Sequence, residues 1–398
     1  MIQDSEAIPR VAALQHMPGH SFLLGCGKCL DRPPCGGLQI GAAVLSCLDH
    51  CTCADPAKCN LVCPRNPKAF AERVGEINGF DLGNIEKRPS LAFPDTPDLI
   101  PLMYRSLPLD RPVNIDLVAI PFSEIYRRIG KSAELYTRQE IEAKFRLGSN
   151  TKIILSGVEN DRHVEQWWGS IGRNDIVRGL KKLGVIFATT PNFSLMADVP
   201  RHDNLHAMKR IALVWSQLHD AQVPTALHVN GRTDHDFFRL REFLQDHDEI
   251  EAISFEFTTG AANKERGQYF VDRLIWLSGE ITRPLILILR GGLCWASVLS
   301  KYYARTVILE SSAFVKTVKR KRAVLGTNGR LNWFGSLTPK GASLDDLLAH
   351  NLDVVGQSAT ERRQVAETQK TYRTAQTTPK YLKRKLETHD ESLQMRLL

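Results

Sequence analysis

The chain of 398 residues has no apolar run approaching the ~20 residues that a membrane-spanning helix needs, so no membrane partner is expected. No Gly-x-Gly-x-x-Gly turn follows its first apolar run, which argues against a dinucleotide-binding open sheet. The C-x3-C-x2-C spacing usual in radical S-adenosylmethionine enzymes is also missing. No hydrophobic export segment precedes the cysteines, so a cytoplasmic location and reduced thiols are the expectation. After residue 63 cysteine itself is scarce, with Cys294 standing alone inside an apolar stretch.

What is there is a crowd of cysteines near the front. Eight of the nine fall in one window: Cys26, Cys29, Cys35, Cys47, Cys51, Cys53, Cys59 and Cys63. Thiolates are soft ligands, and a local cluster of them suits zinc or an iron–sulfur cluster. Disulfides are the third reading and would need an oxidising compartment. Structural zinc usually shows paired C-x2-C knuckles, and here only Cys26 and Cys29 form one. The ending Cys59-x3-Cys63-Pro64 resembles the close of a bacterial ferredoxin motif. The expected cofactor is therefore an iron–sulfur cluster, with zinc as the alternative.

Composition places the rest of the chain among folded proteins, with 43% hydrophobic and 24% charged residues. A net charge of +8 makes its surface attractive to polyanions such as nucleic acid or nucleotides. Four regions follow from the pattern. Residues 1–85 form a Cys-rich metal-binding module, rich in Gly and Pro, in which the metal does the work of a core. Residues 86–112 carry six prolines and read as an extended connector. Residues 113–357 alternate short apolar runs with amphipathic stretches, and residues 358–398 form a charged tail.

The apolar runs are Ile115–Ile120, Lys152–Leu155, Val185–Thr189, Thr225–Val229, Ala252–Phe257, Leu285–Leu289 and Thr306–Leu309. Between them lie helix-like segments such as Leu205–Leu218, Asp236–Leu244 and Gly267–Leu277. Buried strands alternating with helices imply parallel βαβ units. The fold class is thus α/β, a (β/α) barrel that is complete or one strand short. An open doubly wound sheet would show the same alternation.

Chemistry in such folds gathers at the carboxyl ends of strands, and six of those ends are polar here. The candidates for substrate binding are Asp161, Arg162, Asn192, Asp198, Arg201, Asn230 and Arg290. Glu256 lies within a strand between Phe255 and Phe257. If those rings face the outer helices, alternation turns Glu256 into the barrel mouth. A partly desolvated carboxyl there would have a raised pKa suited to acid–base work. Glu310 ends the seventh run, and paired carboxylates are the usual equipment for glycosyl chemistry. The structural alternative is an ion pair between Glu256 and Arg290; Asp161 with Arg162 and Asp198 with Arg201 can likewise brace loops. His228 ends its strand as either a core residue or a base. Asp203 or Asn204 reads as a helix cap, and Trp167 and Trp168 as packing residues. The run Lys316 to Arg322, with five basic residues in seven, and the knot Lys383-Arg384-Lys385 read as phosphate contacts or as solvated surface.

The stretch Thr190-Pro191-Asn192-Phe193-Ser194, followed by Asp198-Val199-Pro200-Arg201, resembles a family of bacterial and phage proteins catalogued only as a domain of unknown function. The likeness extends through Ser156–Arg162, Glu256–Gly260 and Arg290–Gly292. Occurrence in phages and mobile elements implies a place in nucleic acid metabolism. The strand-end acids are also similar to those of base-exchanging transglycosylase barrels, whose zinc-ligand arrangement after the barrel is missing here. Together these readings point to a metal-binding enzyme acting on a nucleotide, nucleobase or nucleic acid. Glycosyl transfer or hydrolysis by Glu256 and Glu310 is the concrete form. The alternative is a non-enzymatic nucleic-acid-binding protein of a phage or mobile-element system.

Overall fold

A computed structural model describes residues 37–40, 43–45, 55, 58–196, 199–258, 261–262, 264–326, 329–339 and 341–371. The expected metal ligands Cys26, Cys29, Cys35, Cys47, Cys51 and Cys53 and the basic knot at 383–385 lie outside the described residues, as does Asp198.

Eight parallel strands follow one another around a single sheet: β1 (Leu99–Pro101), β2 (Leu117–Pro121), β3 (Lys152–Ser156), β4 (Val185–Thr189), β5 (Thr225–His228), β6 (Ala252–Glu256), β7 (Ile286–Arg290) and β8 (Arg305–Glu310). β1 pairs with β8, Leu99 opposite Ile308 and Pro101 opposite Glu310. On its other side Leu102 bridges Ala119 of β2, where the Met103 N–H donates to the Ala119 carbonyl at 3.0 Å. The sheet thereby closes into a TIM-like barrel. Its first strand lies within the proline-rich stretch read from sequence as a connector. Three residues, Leu-Ile-Pro, carry no usable periodicity; hydrogen-bonded neighbours on both sides make them a strand.

The strands are apolar on both faces because helices cover the outside. The helices that matter below are α1 (Pro67–Glu76), α2 (Arg138–Phe145), α3 (Asp161–Trp168), α4 (Arg173–Gly179), α5 (Arg201–Asp220), α6 (Asp234–Asp246), α7 (Lys264–Glu280), α8 (Leu293–Leu299), α9 (Ser312–Val318) and α10 (Asp345–Thr371). Among the described residues, no helix is long and apolar enough to cross a membrane.

Inside the barrel, small and large side chains complement each other. Ala119, Ala226 and Ala252 occupy inward positions of β2, β5 and β6, and the space they leave is filled by Phe187 of β4. The Phe187 ring meets that of Phe93, with centroids 4.6 Å apart. Phe93 comes from the segment before β1, and its N–H is held at 2.9 Å by the carboxylate of Glu251 at the start of β6. That segment plugs the amino-terminal end of the barrel.

α5 is buried almost all round although its sequence, Arg-His-Asp-Asn-Leu-His-Ala-Met-Lys-Arg, is strongly polar. The reason is a strap of chain from residue 62 to residue 93 that runs along it, and the polar side chains of α5 anchor the strap. Asp203 accepts from the Val62 N–H at 3.2 Å. Lys209, fully buried, donates to the Asp81 carbonyl and to Asn84. The His219 ring is 2.7 Å from the Pro89 carbonyl. Arg239 of α6 adds a bond to the Phe80 carbonyl at 2.7 Å. Burial pushes the Lys209 ammonium down to about 8, with Asp81 pulling the other way.

His206 lies under the same strap. Burial, then the charges of Arg210 and Arg73, push its imidazole down to about 3. Glu76 is 3.7 Å from Nε2, but that half-exposed carboxylate accepts from Trp168 instead, so His206 is neutral. His228 is pushed down to about 4 by burial, opposed by Glu256. Both folded values lie below the ordinary value of 6.5. Below pH 6.5 the unfolded chain therefore binds protons that the folded chain refuses, and stability falls as pH drops towards 4. At pH 5 the expected loss is roughly 2 kcal/mol per histidine. Urea unfolding at pH 7 and pH 5 should show it, and His206→Gln should reduce the difference by roughly 2 kcal/mol; an unchanged pH dependence in that variant would mean His206 titrates normally.

Candidate active site

The inward rows of five consecutive strands end in polar side chains at the carboxyl end. Above Ile154, Phe187, Ala226, Ala252 and Ile288 of the inner cluster come Ser156 of β3, Thr189 of β4, His228 of β5, Ser254 and Glu256 of β6, and Arg290 of β7. The other three strands continue apolar at this level, with Pro121, Leu309 and Leu102. The polar side chains thus form an arc across one side of the mouth. Strand pairing sets Ser254 beside His228 and Glu256 beside Arg290. Phe255, between the two acid-side residues, packs outward on Phe270 of α7 with centroids 4.9 Å apart. The alternation expected at Glu256 is the one found.

Several of these polar atoms are buried and have no hydrogen-bond partner among the described residues: Ser156 Oγ, Ser254 Oγ, both ring nitrogens of His228 and Nε of Arg290. The His228 ring lies parallel to that of Phe255, centroids 6.3 Å apart. The Arg290 guanidinium sits over the ring of Tyr104, which follows β1, at 5.0 Å. Burial pushes Arg290 down to about 10, and Glu310 pulls it back up. At this pKa it still carries its charge at neutral pH. Glu256 accepts from the Thr258 N–H at 3.1 Å and from the Thr258 hydroxyl. The next turn is built by glycine: Gly291 and Gly292 have φ of +73° and +67°, and a Cβ at Gly292 would stand 2.3 Å from the Phe257 ring.

Glu310 sits just outside the arc. One of its oxygens accepts from the Ser312 N–H at 2.7 Å and the Ser312 hydroxyl at 2.9 Å, so it tethers the start of α9. Asn192 is nearly buried, and its Oδ1 accepts from the Glu159 N–H at 2.9 Å, joining the loops after β3 and β4. Asp161 and Arg162 are exposed in the first turn of α3, where Asp161 accepts from the Ser194 hydroxyl at 2.5 Å. Arg201 is fully buried in an ion pair with Asp236 at the start of α6. Asn230 lines a small, mostly apolar cavity between β5, α5 and α6 with Met208, Ile211 and Leu240. The structure therefore brings Glu256 and Arg290 together and sets Glu310 beside Arg290, while Asn192, Asp161 and Arg201 hold loops at the rim.

The tryptophans pack as read, but neither Asp203 nor Asn204 caps α5: Pro200 stands at the cap position without a side-chain bond, and both polar side chains are drawn to other segments. Asn204 accepts from the Met196 N–H at 2.9 Å and donates to its carbonyl at 2.8 Å. Trp167 packs edge-on against Phe122 at 5.5 Å, and Arg173 lies over Trp168 at 3.9 Å. Of the front cysteines, Cys63 is buried and Cys59 half-buried, and Cys294 is exposed on α8. No group of three or more potential metal ligands converges among the described residues. The described end of the cysteine-rich segment, at Val62, meets Asp203 in the first turn of α5, on the mouth side of the barrel.

Five further polar residues belong to the mouth. Thr189 and Ser254 were hidden in apolar runs, Ser156 opened the polar end after one, and only the inward register exposes their role. Tyr104 lay in the proline-rich stretch. Glu159 was visible in a polar strand end. Its carboxyl is 6% exposed, burial raises its pKa, and its bond from the Ser123 N–H at 2.8 Å opposes that rise. His163 lies 3.4 Å away.

No family model and no curated protein matches the chain, so the resemblance to the uncharacterised bacterial and phage family rests on its motif residues. Among solved structures, the chain is similar to a candidate lyase/mutase from Burkholderia cenocepacia J2315, at 12% identity and a TM-score of 0.31, over 62% of this chain and 88% of that one. It is also similar to a candidate phosphonomutase from the same organism, at 9% identity and a TM-score of 0.28, over 46% and 70%.

Proposed function

We propose that this protein is an enzyme that works in the mouth of its barrel on a nucleotide or a related anionic, base-bearing substrate. The observation that carries the reading is the arc of inward polar ends, centred on Glu256 beside Arg290. Buried polar atoms without partners are costly in a fold and are met in sites that receive polar ligands. Arg290 binds the anionic group of the substrate, since its guanidinium is charged and stacked over the Tyr104 ring. Glu256 is the reacting carboxylate, in glycosyl transfer or hydrolysis. His228, neutral, offers a hydrogen bond from inside the barrel, and Glu310, the second carboxylate, acts through Arg290. The cysteine-rich segment belongs to this reading as a metal-binding appendage, iron–sulfur or zinc, on the strength of its cysteine spacing.

The test uses a panel of nucleosides and nucleoside monophosphates, with thermal shift for binding and chromatography for released base. Glu256→Gln should lower turnover at least about a hundredfold while binding persists. Arg290→Ala should lose binding of the monophosphates and leave that of the uncharged nucleosides. Full turnover in Glu256→Gln would overturn the assignment of the site.

A further inference from the structure

A second surface, away from the arc, carries its own chemistry. After α9 the chain forms an antiparallel hairpin of Lys321–Leu325 and Leu331–Gly335. Its two faces are unlike. On the back, Ala323 is fully buried opposite Trp333. Asn351 of α10, also fully buried, fastens that side. It accepts from the Ala323 N–H and donates to the Lys321 carbonyl and the Thr317 hydroxyl, each at 2.8 Å. Ser358 adds a bond to the Gly329 carbonyl at 2.9 Å. The hairpin is thus held as a rigid platform; from its front, the Arg322 guanidinium also reaches α10, at 3.0 Å from Nδ1 of His350.

The front presents Arg322 opposite Phe334 and Val324 opposite Asn332. Phe334 is 58% exposed and Val324 44%, a cost in water that the fold does not require. Lys319, just before the hairpin, is exposed, and Lys321 is exposed on the side of Ala323. From Ser311 to Leu344 the sequence has no Asp or Glu, against seven Lys and Arg. No carboxylate within that stretch of sequence balances them.

We infer that the front of this hairpin binds single-stranded nucleic acid. An exposed aromatic ring flanked by cations on a preorganised ribbon is what a strand of unpaired bases needs: the base stacks on Phe334, and the phosphates follow Arg322 and Lys319. Asn332, exposed between the apolar residues, suits base edges and would be a penalty in hydrocarbon, which disfavours a lipid surface. The inference goes beyond the barrel mouth and stands or falls separately from it.

The experiment is fluorescence anisotropy of labelled oligo(dT) with the full chain, over a range of salt. Phe334→Ala should weaken binding roughly tenfold, and Phe334→Trp should restore it. Lys319→Ala with Arg322→Ala should weaken binding and flatten the slope of log affinity against log salt by about 1. Unchanged thermal midpoints would show that the variants fold, as expected for exposed positions. The carboxyl-terminal basic knot is the same in every variant, so the differences report on the hairpin. Wild-type affinity in both the Ala variants would overturn the inference. So would a wild-type chain that ignores oligo(dT) but binds phosphatidylserine vesicles through Phe334.

Discussion

Asp236→Ala is expected to destabilise the fold by about 3–5 kcal/mol, the range for breaking one partner out of a buried ion pair. Both charged groups are out of contact with solvent, at 1% and 0% side-chain exposure. The carboxylate is also the acceptor for the Arg232 N–H at 2.7 Å and the Thr233 N–H at 3.0 Å. It completes the capping box of α6, in which Thr233 and Asp236 bond each other's backbone. These donors hold its pKa low despite complete burial. Removing it therefore takes the Asp236 carboxylate from the Arg201 guanidinium and two bonds from a helix start. The pair joins the amino ends of α5 and α6, so the loops after β4 and β5 should loosen as well. Urea denaturation measures the loss, and Arg201→Met combined with Asp236→Leu should recover part of it, because an apolar pair needs no desolvated charge. A loss below about 1 kcal/mol, the range of an exposed pair, would mean that the ion pair does not hold these loops.

Phe187→Ala should cost a similar amount, about 3–5 kcal/mol, by opening a cavity in the barrel interior. The neighbours at this level are Ala119, Ala226 and Ala252, which are too short to fill the gap. The strands that carry them are paired on both sides and cannot move inward. Phe93 loses its ring partner at the same time. A double-mutant cycle with Phe93→Ala should give a coupling of about 0.5–1.5 kcal/mol, the worth of an aromatic pair beyond its buried area. Strict additivity of the two changes would show that the segment before β1 plugs the barrel without help from Phe187. The loss of the second ring should also weaken the bond between Phe93 and Glu251, and with it the strap along α5.

The residues at the mouth divide according to how far their partners lie along the chain. Glu256 could be turned inward from its own neighbours, since Phe255 and Phe257 on an apolar strand leave one face for the carboxylate. Its pairing with Arg290 followed from the order of the strands. Asn192, Asp161 and Arg201 looked the same in the sequence, polar residues after a buried strand. Their partners are Glu159, Ser194 and Asp236, each some 30 residues away, and nothing local signals such a meeting. Ser254 is similar: inside an apolar run it reads as strand interior until the register shows which face it shares with His228 and Glu256.

By itself the sequence determined the class of fold and seven of the eight strands. A strand buried on both faces must be an unbroken apolar run, and a helix between two such runs must be amphipathic, so both patterns are written locally. It also determined the grouping of the front cysteines and the unbalanced charge around residues 316–322. Only the tertiary structure decided that Leu99–Pro101 closes the ring, because a strand of three residues is defined by the backbones on either side of it. Only the tertiary structure decided that the polar side of α5 faces a strap rather than water, since burial of Lys209 or His206 depends on chain more than a hundred residues earlier. The same holds for the mouth: the side chains that share it come from five strands, and the curvature of the closed sheet is what makes them neighbours.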